Sequence, residues 1–329
     1  MLSRARYLMG TVLSVTVPAA TGDEPIDAAF AEVARLEGIL SNWRRTSEIS
    51  RLNRSAARGP VRCSDDLFMA VAAAIRWAEE TAGAFDPTVE PLVRALGLRR
   101  PEDRIPEEAD GPAAEPGPHD LPSGRDGGWR SGPAGPGPVG YRLVRIDPAG
   151  RTVRYSRPGT GIDLGGIGKG IALDAAAGVL KRRGVASALL DFGGQLLAYG
   201  PGPDGDGWSV GIADPIDRRA SVGSLRLRDA SVATSGSRER AAPGRSGSVG
   251  HILDPRLGRA ARFSGTVSVV ARKATDADAL STALFVMGPE EGLGWAEERG
   301  TAALYLWRDE AGALERRMTQ EFERLSADD

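Results

Sequence analysis

The sequence predicts an α+β fold, with mixed, largely antiparallel sheets and flanking helices. Three observations point that way. Short runs rich in β-branched residues are separated by Gly-rich turns, apolar residues recur at helical spacing in only a few longer segments, and the two kinds of element do not alternate as a doubly wound sheet requires. The chain has 329 residues, 41% of them hydrophobic, which is enough material for a sizeable core. No internal repeat of fixed period is present.

Thr11-Val-Leu-Ser-Val-Thr-Val17 alternates and is closed by Pro18, so it predicts an opening strand. Ile26, Phe30, Val33, Leu36 and Leu40 share one helical face, predicting a helix over 26–40, and a second is expected over 65–81. From 99 to 139 proline and glycine recur every few residues with few large apolar groups. That segment cannot bury a core and predicts a flexible insertion within one domain spanning 1–329. Residues 141–155 predict two strands around a turn at Asp147-Pro-Ala-Gly150. A Gly-rich loop, a helix over 171–183 and an apolar strand over 186–190 follow, ending in Asp191-Phe-Gly-Gly194 and predicting a strand, loop, helix, strand unit. Further strands are expected over 208–213, 221–227, 265–271 and 301–307.

Net charge is −2, so no basic excess exists to neutralise a phosphate backbone, and nucleic acid is not an expected partner. Cys63 is the single cysteine, which excludes internal disulfides and thiolate metal clusters. No histidine or CxxC pattern accompanies it, so it reads as an inert thiol rather than a nucleophile. Residues 1–10 include basic residues but no uninterrupted apolar stretch, no lipobox cysteine follows, and no run of about 18 apolar residues occurs. The expectation is a cytoplasmic protein without membrane insertion.

Two distant stretches carry chemistry. In Gly161-Ile-Asp-Leu-Gly-Gly-Ile-Gly-Lys-Gly170, residues without side chains surround Lys169, so backbone N–H groups can approach an anion and the lysine supplies charge. The helix that follows adds its partial positive N-terminus at the same place. The run is neither a Walker A loop, since Gly170 stands where Ser or Thr is needed, nor a GxGxxG fingerprint, and a tight structural turn remains the alternative. Asp191 lies at the distance of a ribose-binding acid, a weak coincidence without that fingerprint. In Ala274-Thr-Asp-Ala-Asp-Ala-Leu-Ser-Thr282, Asp278 and Thr282 are four apart in a helical segment, a carboxylate and a hydroxyl one turn apart that suit Mg²⁺. The alternative is that Thr275, Asp276 or Asp278 caps the helix. His119 sits in the Gly/Pro-rich segment, which leaves His251 as the candidate histidine acid or base, with a structural role as the alternative. Ser235 lacks a GxSxG elbow and reads as a turn residue offering its hydroxyl to a ligand; Trp43 can stack on a flat ring or fill a core.

Met9-Gly-Thr11, Ser47-Glu-Ile-Ser-Arg-Leu-Asn53, Gly83-Ala-Phe-Asp-Pro-Thr88, Asp163-Leu-Gly-Gly-Ile-Gly-Lys-Gly170, Asp191-Phe-Gly-Gly194, Ala233-Thr-Ser-Gly236, His251-Ile-Leu-Asp-Pro255 and Ala277-Asp-Ala-Leu-Ser-Thr282 occur in this order. Together they resemble the FAD:protein FMN transferase family, the ApbE-like flavin transferases. The resemblance implies an ApbE-like fold and one catalytic domain that moves FMN from FAD to a Thr or Ser hydroxyl of an acceptor flavoprotein, using Mg²⁺ and releasing AMP. It further implies that Met9, Trp43, Ala84, Asp86, Asp163, Lys169 and Ser235 line the FAD site. Asp278, Thr282 and the backbone carbonyl at Gly168 would hold Mg²⁺, with His251 beside the pyrophosphate and acceptor hydroxyl. Catalysis would rest on His251, Asp278 and Lys169. This sequence has Gly168 where the family commonly has alanine, and Trp43 where tyrosine is common. The lack of an export signal sets it apart from lipoprotein members and implies an acceptor on the cytoplasmic side. An FAD pyrophosphatase and a non-catalytic flavin-binding protein are the alternatives.

Overall fold

The computed structural model describes residues 1–98, 137–217, 219–237, 242–244, 247–249 and 251–326. The expected flexible insertion therefore lies, but for residues 137–139, outside the described residues. Residues cluster into two compact units, one of Met1–Glu37, Gly165–Ile252 and Ala261–Asp329, the other of Gly38–Leu164 and Leu253–Ala260.

The chain begins in the first unit with β1 (Leu2–Leu8), β2 (Thr11–Val17) and the start of α1 (Glu24–Leu40). The second unit holds α2 (Glu48–Ser55), β3 (Val61–Arg62), α3 (Asp65–Glu80), α4 (Glu90–Ala95), β4 (Val144–Asp147) and β5 (Thr152–Tyr155). Back in the first unit follow α5 (Gly168–Arg182), β6 (Ala188–Phe192), β7 (Gln195–Tyr199), β8 (Trp208–Ala213), β9 (Ser221–Leu227), β10 (Ala230–Gly236), β11 (Ala242–Gly244) and β12 (Gly247–Val249). A short hairpin of β13 (Leu253–Asp254) and β14 (Arg259–Ala260) belongs to the second unit. The first then closes with β15 (Thr266–Ala271), α6 (Ala274–Glu298), β16 (Ala302–Arg308), β17 (Leu314–Met318) and α7 (Gln320–Glu323).

The first unit is built on an eight-stranded antiparallel sheet in the order β1-β2-β6-β7-β10-β15-β16-β17. Alternation sets its faces: Leu13, Val15 and Val17 of β2 and Ala188, Leu190 and Phe192 of β6 are buried with Ile26, Phe30 and Val33 of α1 and Leu173, Ala176 and Leu180 of α5 in one core. A second core gathers Trp208, Val210, Leu225, Leu227, Leu304 and Phe322. Tight turns fix the hairpins. Met9 (φ 47°) and Gly10 (φ 79°) both have positive φ, as a two-residue turn matching the right-handed strand twist demands. Gly193 and Gly194 do the same between β6 and β7, and Asp191 Oδ1 accepts from Gly194 N at 2.9 Å. In the second unit β3, β5 and β4 form a three-stranded sheet, and the Ser47 and Ser64 hydroxyls cap α2 and α3.

The α+β, largely antiparallel class holds, and the expected helices and strands occur within a few residues of their predicted bounds. Several expectations change. The opening strand is the second, because β1 is mostly exposed on an edge and carries no alternation to betray it. The strand, loop, helix, strand unit does not exist as one: β5 and β6 lie in different sheets and different units. Asp191 serves the β6–β7 turn, which removes the grounds for the ribose reading. Ser235 lies within β10 rather than a turn, since its pairing with Val267 of β15 continues the ladder. Among the described residues no helix is long and apolar enough to cross a membrane.

Cys63 is 5% exposed. Burial first, and the nearby Glu48 carboxylate second, push its thiol up to about 11. Because the folded value exceeds the unfolded one of about 8.5, this contribution to stability is full below pH ~8.5 and is lost as pH rises through the folded value. Native protein at pH 8 is expected to leave Cys63 essentially unlabelled by a disulfide reagent over minutes, with stoichiometric labelling in denaturant. Rapid native labelling would show an accessible thiolate.

Candidate active site

In the first unit the end of the glycine run, from Gly165 on, meets the 274–282 segment. The helix of the glycine run starts at Gly168, three residues before its expected start, so Lys169 and Gly170 occupy its first turn. The carboxylate of Asp278, 4% exposed, is aimed at that turn. Lys169 Nζ lies 3.1 Å from Asp278 Oδ1, and Gly170 N–H donates to Asp278 Oδ2 at 3.0 Å. A buried carboxylate must find donors, and a helix N-terminus supplies both N–H groups and positive potential.

The reverse contact is equally explicit. Asp174, one turn further into α5, accepts from Ala274 N and Thr275 N at 2.9 Å each and from the Thr275 hydroxyl at 2.6 Å. Each helix therefore places a carboxylate on the other's N-terminus. This overturns the capping alternative for Thr275 and Asp278, whose side chains are turned to α5: the N-cap position is Lys273, without a side-chain cap, and Asp174, a hundred residues upstream, supplies the oxygens for Ala274 N and Thr275 N. The buried Gln195 side chain donates through Nε2 to the Ala274 carbonyl at 2.8 Å, fixing the same turn from the other side.

Ser235 and Ser281 hydroxyls lie 2.9 Å apart, and Ser281 donates to the Asp278 carbonyl at 3.0 Å. Since a hydroxyl has one proton, Ser235 donates to Ser281 and offers only lone pairs elsewhere. Thr282 is half-buried one turn beyond Asp278 on α6, and His251 is half-buried on the bend before β13. The His251-Ile-Leu-Asp-Pro255 motif also folds its own hairpin, Asp254 accepting from Arg256 N and Nε at 2.9 and 3.2 Å. Met9, at the β1–β2 turn, packs against the first core and sits 3.8 Å from where a Cβ on Gly168 would stand.

In the second unit the side chain of Asn53 acts as a piece of backbone. It donates to the Ile162 carbonyl and accepts from Ile162 N, each at 2.8 Å, while Tyr155 Oη donates to its Oδ1 at 2.7 Å and Asn42 donates to the same Ile162 carbonyl. Asp163 N then donates to the Pro87 carbonyl at 2.7 Å. The start of the glycine run is thus held rigidly, and a Cβ on Gly161 would stand 2.6 Å from Glu90 Oε2. Asp86 is buried with both oxygens engaged: Oδ1 accepts from Thr88 N and Oγ1, Oδ2 from Tyr141 N at 2.7 Å. Burial raises its carboxyl above the usual range, and the bonds from Thr88 and Tyr141 oppose that rise. Ala84 is buried and Trp43 half-buried. Sequence reasoning singled out the Asn53 motif without a role for it and missed Asp174 and Gln195. Only the lone acid in an Ala-rich helix and the polar residue after a Gly-Gly turn hinted at the last two.

The chemistry of the groups on this face of α6 is that of hard-cation donors: Asp278 is a buried carboxylate and Thr282 a half-buried hydroxyl one turn away, both oxygen donors, and Mg²⁺ keeps several waters of its own. No group of three His, Cys, Asp or Glu side chains converges among the described residues, so soft-metal ligation has no counterpart there.

A model of the ApbE family matches residues 9–305. A Treponema pallidum protein named FAD:protein FMN transferase is 32% identical over 332 residues, covering 93% of this chain and 84% of that protein. A Vibrio cholerae protein of the same name is 28% identical over 313 residues, covering 93% and 87%. Among solved structures, the apo form of the Pseudomonas stutzeri flavinyl transferase ApbE matches with a TM-score of 0.79 at 28% identity, over 98% of this chain and 96% of its own. The Thermotoga maritima ApbE protein matches with a TM-score of 0.82 at 27% identity over 99% of each chain.

Two glycines of the loop give opposite expected outcomes. A Cβ on Gly170 would overlap the Ala274 carbonyl and stand 2.7 Å from Thr275 Cα, so Gly170→Ala forces α5 and α6 apart at a cost of about 1–3 kcal/mol. Gly168 has only the flexible end of Met9 near, at 3.8 Å, and Gly168→Ala is expected to leave stability unchanged or raise it by up to about 1 kcal/mol. Urea midpoints of the two variants check this, and equal values would refute the close-approach argument.

Proposed function

Because the chain belongs to the ApbE family, we propose that it is an FAD:protein FMN transferase, moving FMN from FAD onto a Thr or Ser hydroxyl of an acceptor flavoprotein with Mg²⁺ present and AMP released. The observation that carries this reading is the buried Asp278 carboxylate set against Lys169 and the α5 N-terminus. The family match runs through both compact units, which supports treating residues 1–329 as one catalytic domain.

Transfer forms a bond between the acceptor oxygen and the flavin-side phosphorus and breaks the pyrophosphate P–O bond, so AMP leaves as an anion and the hydroxyl proton must go elsewhere. Asp278, Thr282 and the backbone oxygen at Gly168 would hold Mg²⁺, which when bound neutralises charge on the pyrophosphate oxygens. Lys169 adds a cation beside Asp278 and can turn toward the same oxygens, and the first-turn amides of α5 add positive potential. His251 takes the acceptor proton. Ser235, its proton committed to Ser281, holds the Asp278 segment in place and can accept from FAD. Met9 is assigned an FAD contact beside α5. In the second unit Trp43, Asp163, Ala84 and Asp86 carry the same assignment. Both Asp86 oxygens serve the 86–141 network, so its part is to shape the 83–88 loop rather than to offer a free carboxylate.

Purified protein incubated with FAD and Mg²⁺, with and without an acceptor carrying a flavinylation threonine, is expected to raise the acceptor's intact mass by one FMN unit, and EDTA is expected to abolish the increase. Equal AMP release without acceptor would instead mark a pyrophosphatase, and no AMP in either case a flavin binder. Asp278→Ala is expected to abolish Mg²⁺-dependent turnover. His251→Ala should keep FAD affinity within a few-fold while transfer slows by roughly 10²–10⁴. Full Mg²⁺-dependent activity in the Asp278 variant would remove it from the metal site.

A further inference from the structure

We infer that Asp174 is a positioning residue for the Asp278 carboxylate, acting through the first turn of α6; the inference rests on the proposal that Asp278 holds the metal. Asp174 itself points at backbone: its oxygens take the Ala274 and Thr275 N–H groups and the Thr275 hydroxyl, all within 2.9 Å. Those groups stand about one helical turn before Asp278, so whatever fixes their orientation fixes the direction in which the Asp278 side chain leaves the helix.

Two further contacts make the turn over-determined. Gln195 Nε2 holds the Ala274 carbonyl at 2.8 Å, and Gly170, lacking a Cβ, lets the α5 backbone come against the Ala274 carbonyl and Thr275 Cα. With the turn pinned from both sides, Asp278 Oδ2 meets Gly170 N at 3.0 Å and Oδ1 faces Lys169. Without the Asp174 carboxylate, three donors at the start of a long helix lose their acceptor while the positive end of α6 loses its counter-charge. The first turn then frays, and Asp278 is aimed less sharply. Losing a direct hydrogen-bond partner of a metal ligand commonly alters affinity by about 10–100-fold; Asp174 acts one step further back, through the backbone of Ala274 and Thr275, which sets its effect at the low end of that range.

The test is calorimetric titration with Mg²⁺ alone, beside thermal unfolding, of wild type, Asp278→Ala, Asp174→Ala, Asp174→Asn and Thr275→Val. Ser64→Ala serves as a stability control, since it removes the α3 cap in the other unit and touches none of these groups. Asp174→Ala is expected to weaken Mg²⁺ by about 10-fold. Asp174→Asn, keeping one acceptor oxygen, and Thr275→Val, losing one donor, should weaken it by smaller factors, while Ser64→Ala stays within two-fold. These two milder variants decide the matter if Asp174→Ala does not fold. Wild-type Mg²⁺ affinity in the Asp174 and Thr275 variants, with Asp278→Ala unable to bind, would overturn the positioning role alone. Wild-type affinity in Asp278→Ala would overturn the metal assignment, and the positioning role with it.

Discussion

Two helices that each place a carboxylate on the other's N-terminus form the constraint on which the candidate site depends. An isolated buried carboxylate is costly, and so is a helix start with its N–H groups unmet. Here the two costs offset one another twice, Asp278 facing Lys169 and Gly170 while Asp174 faces Ala274 and Thr275. Neither half holds without the close approach that Gly170 permits. The result is a buried carboxylate held in one direction between a lysine and a helix-start amide.

The glycines of the 161–170 run are not interchangeable. Gly161 avoids Glu90, Gly170 admits the first turn of α6, and Gly168 faces only the flexible end of Met9 at an ordinary contact distance. A sequence rich in glycine invites one explanation, anion access, whereas packing supplies a separate one for each position. Lys169 sits between the last two with its charge directed at Asp278 rather than into solvent.

Polar side chains standing in for backbone are the recurring device of the second unit. Asn53 gives Ile162 both an acceptor and a donor, and Asp86 gathers Thr88 and Tyr141. Irregular chain is fixed this way without a sheet ladder, because a side-chain amide or carboxylate satisfies buried N–H and C=O groups as well as a strand would. Ser235 and Ser281 do similar work behind Asp278, which is why a serine in a suggestive motif carries no free proton.

Local chemistry was sufficient for much of this protein. Alternation in Thr11–Val17, the periodic face of α1, the Asp147 turn and the placing of Asp278 and Thr282 one turn apart on a helix could each be read from neighbours in sequence, because period and turn propensity act over a few residues. The ordered motifs likewise pointed to the family before any contact was known. What tertiary structure decided lay in partners far apart along the chain. The edge strand β1 had no buried face to show, β5 and β6 went to different sheets, and the acid that caps α6 stood a hundred residues away on α5. Sequence fixes which groups need partners; only the folded chain, by bringing Asp174 to Ala274 and Gly170 to Asp278, determines which partners they get.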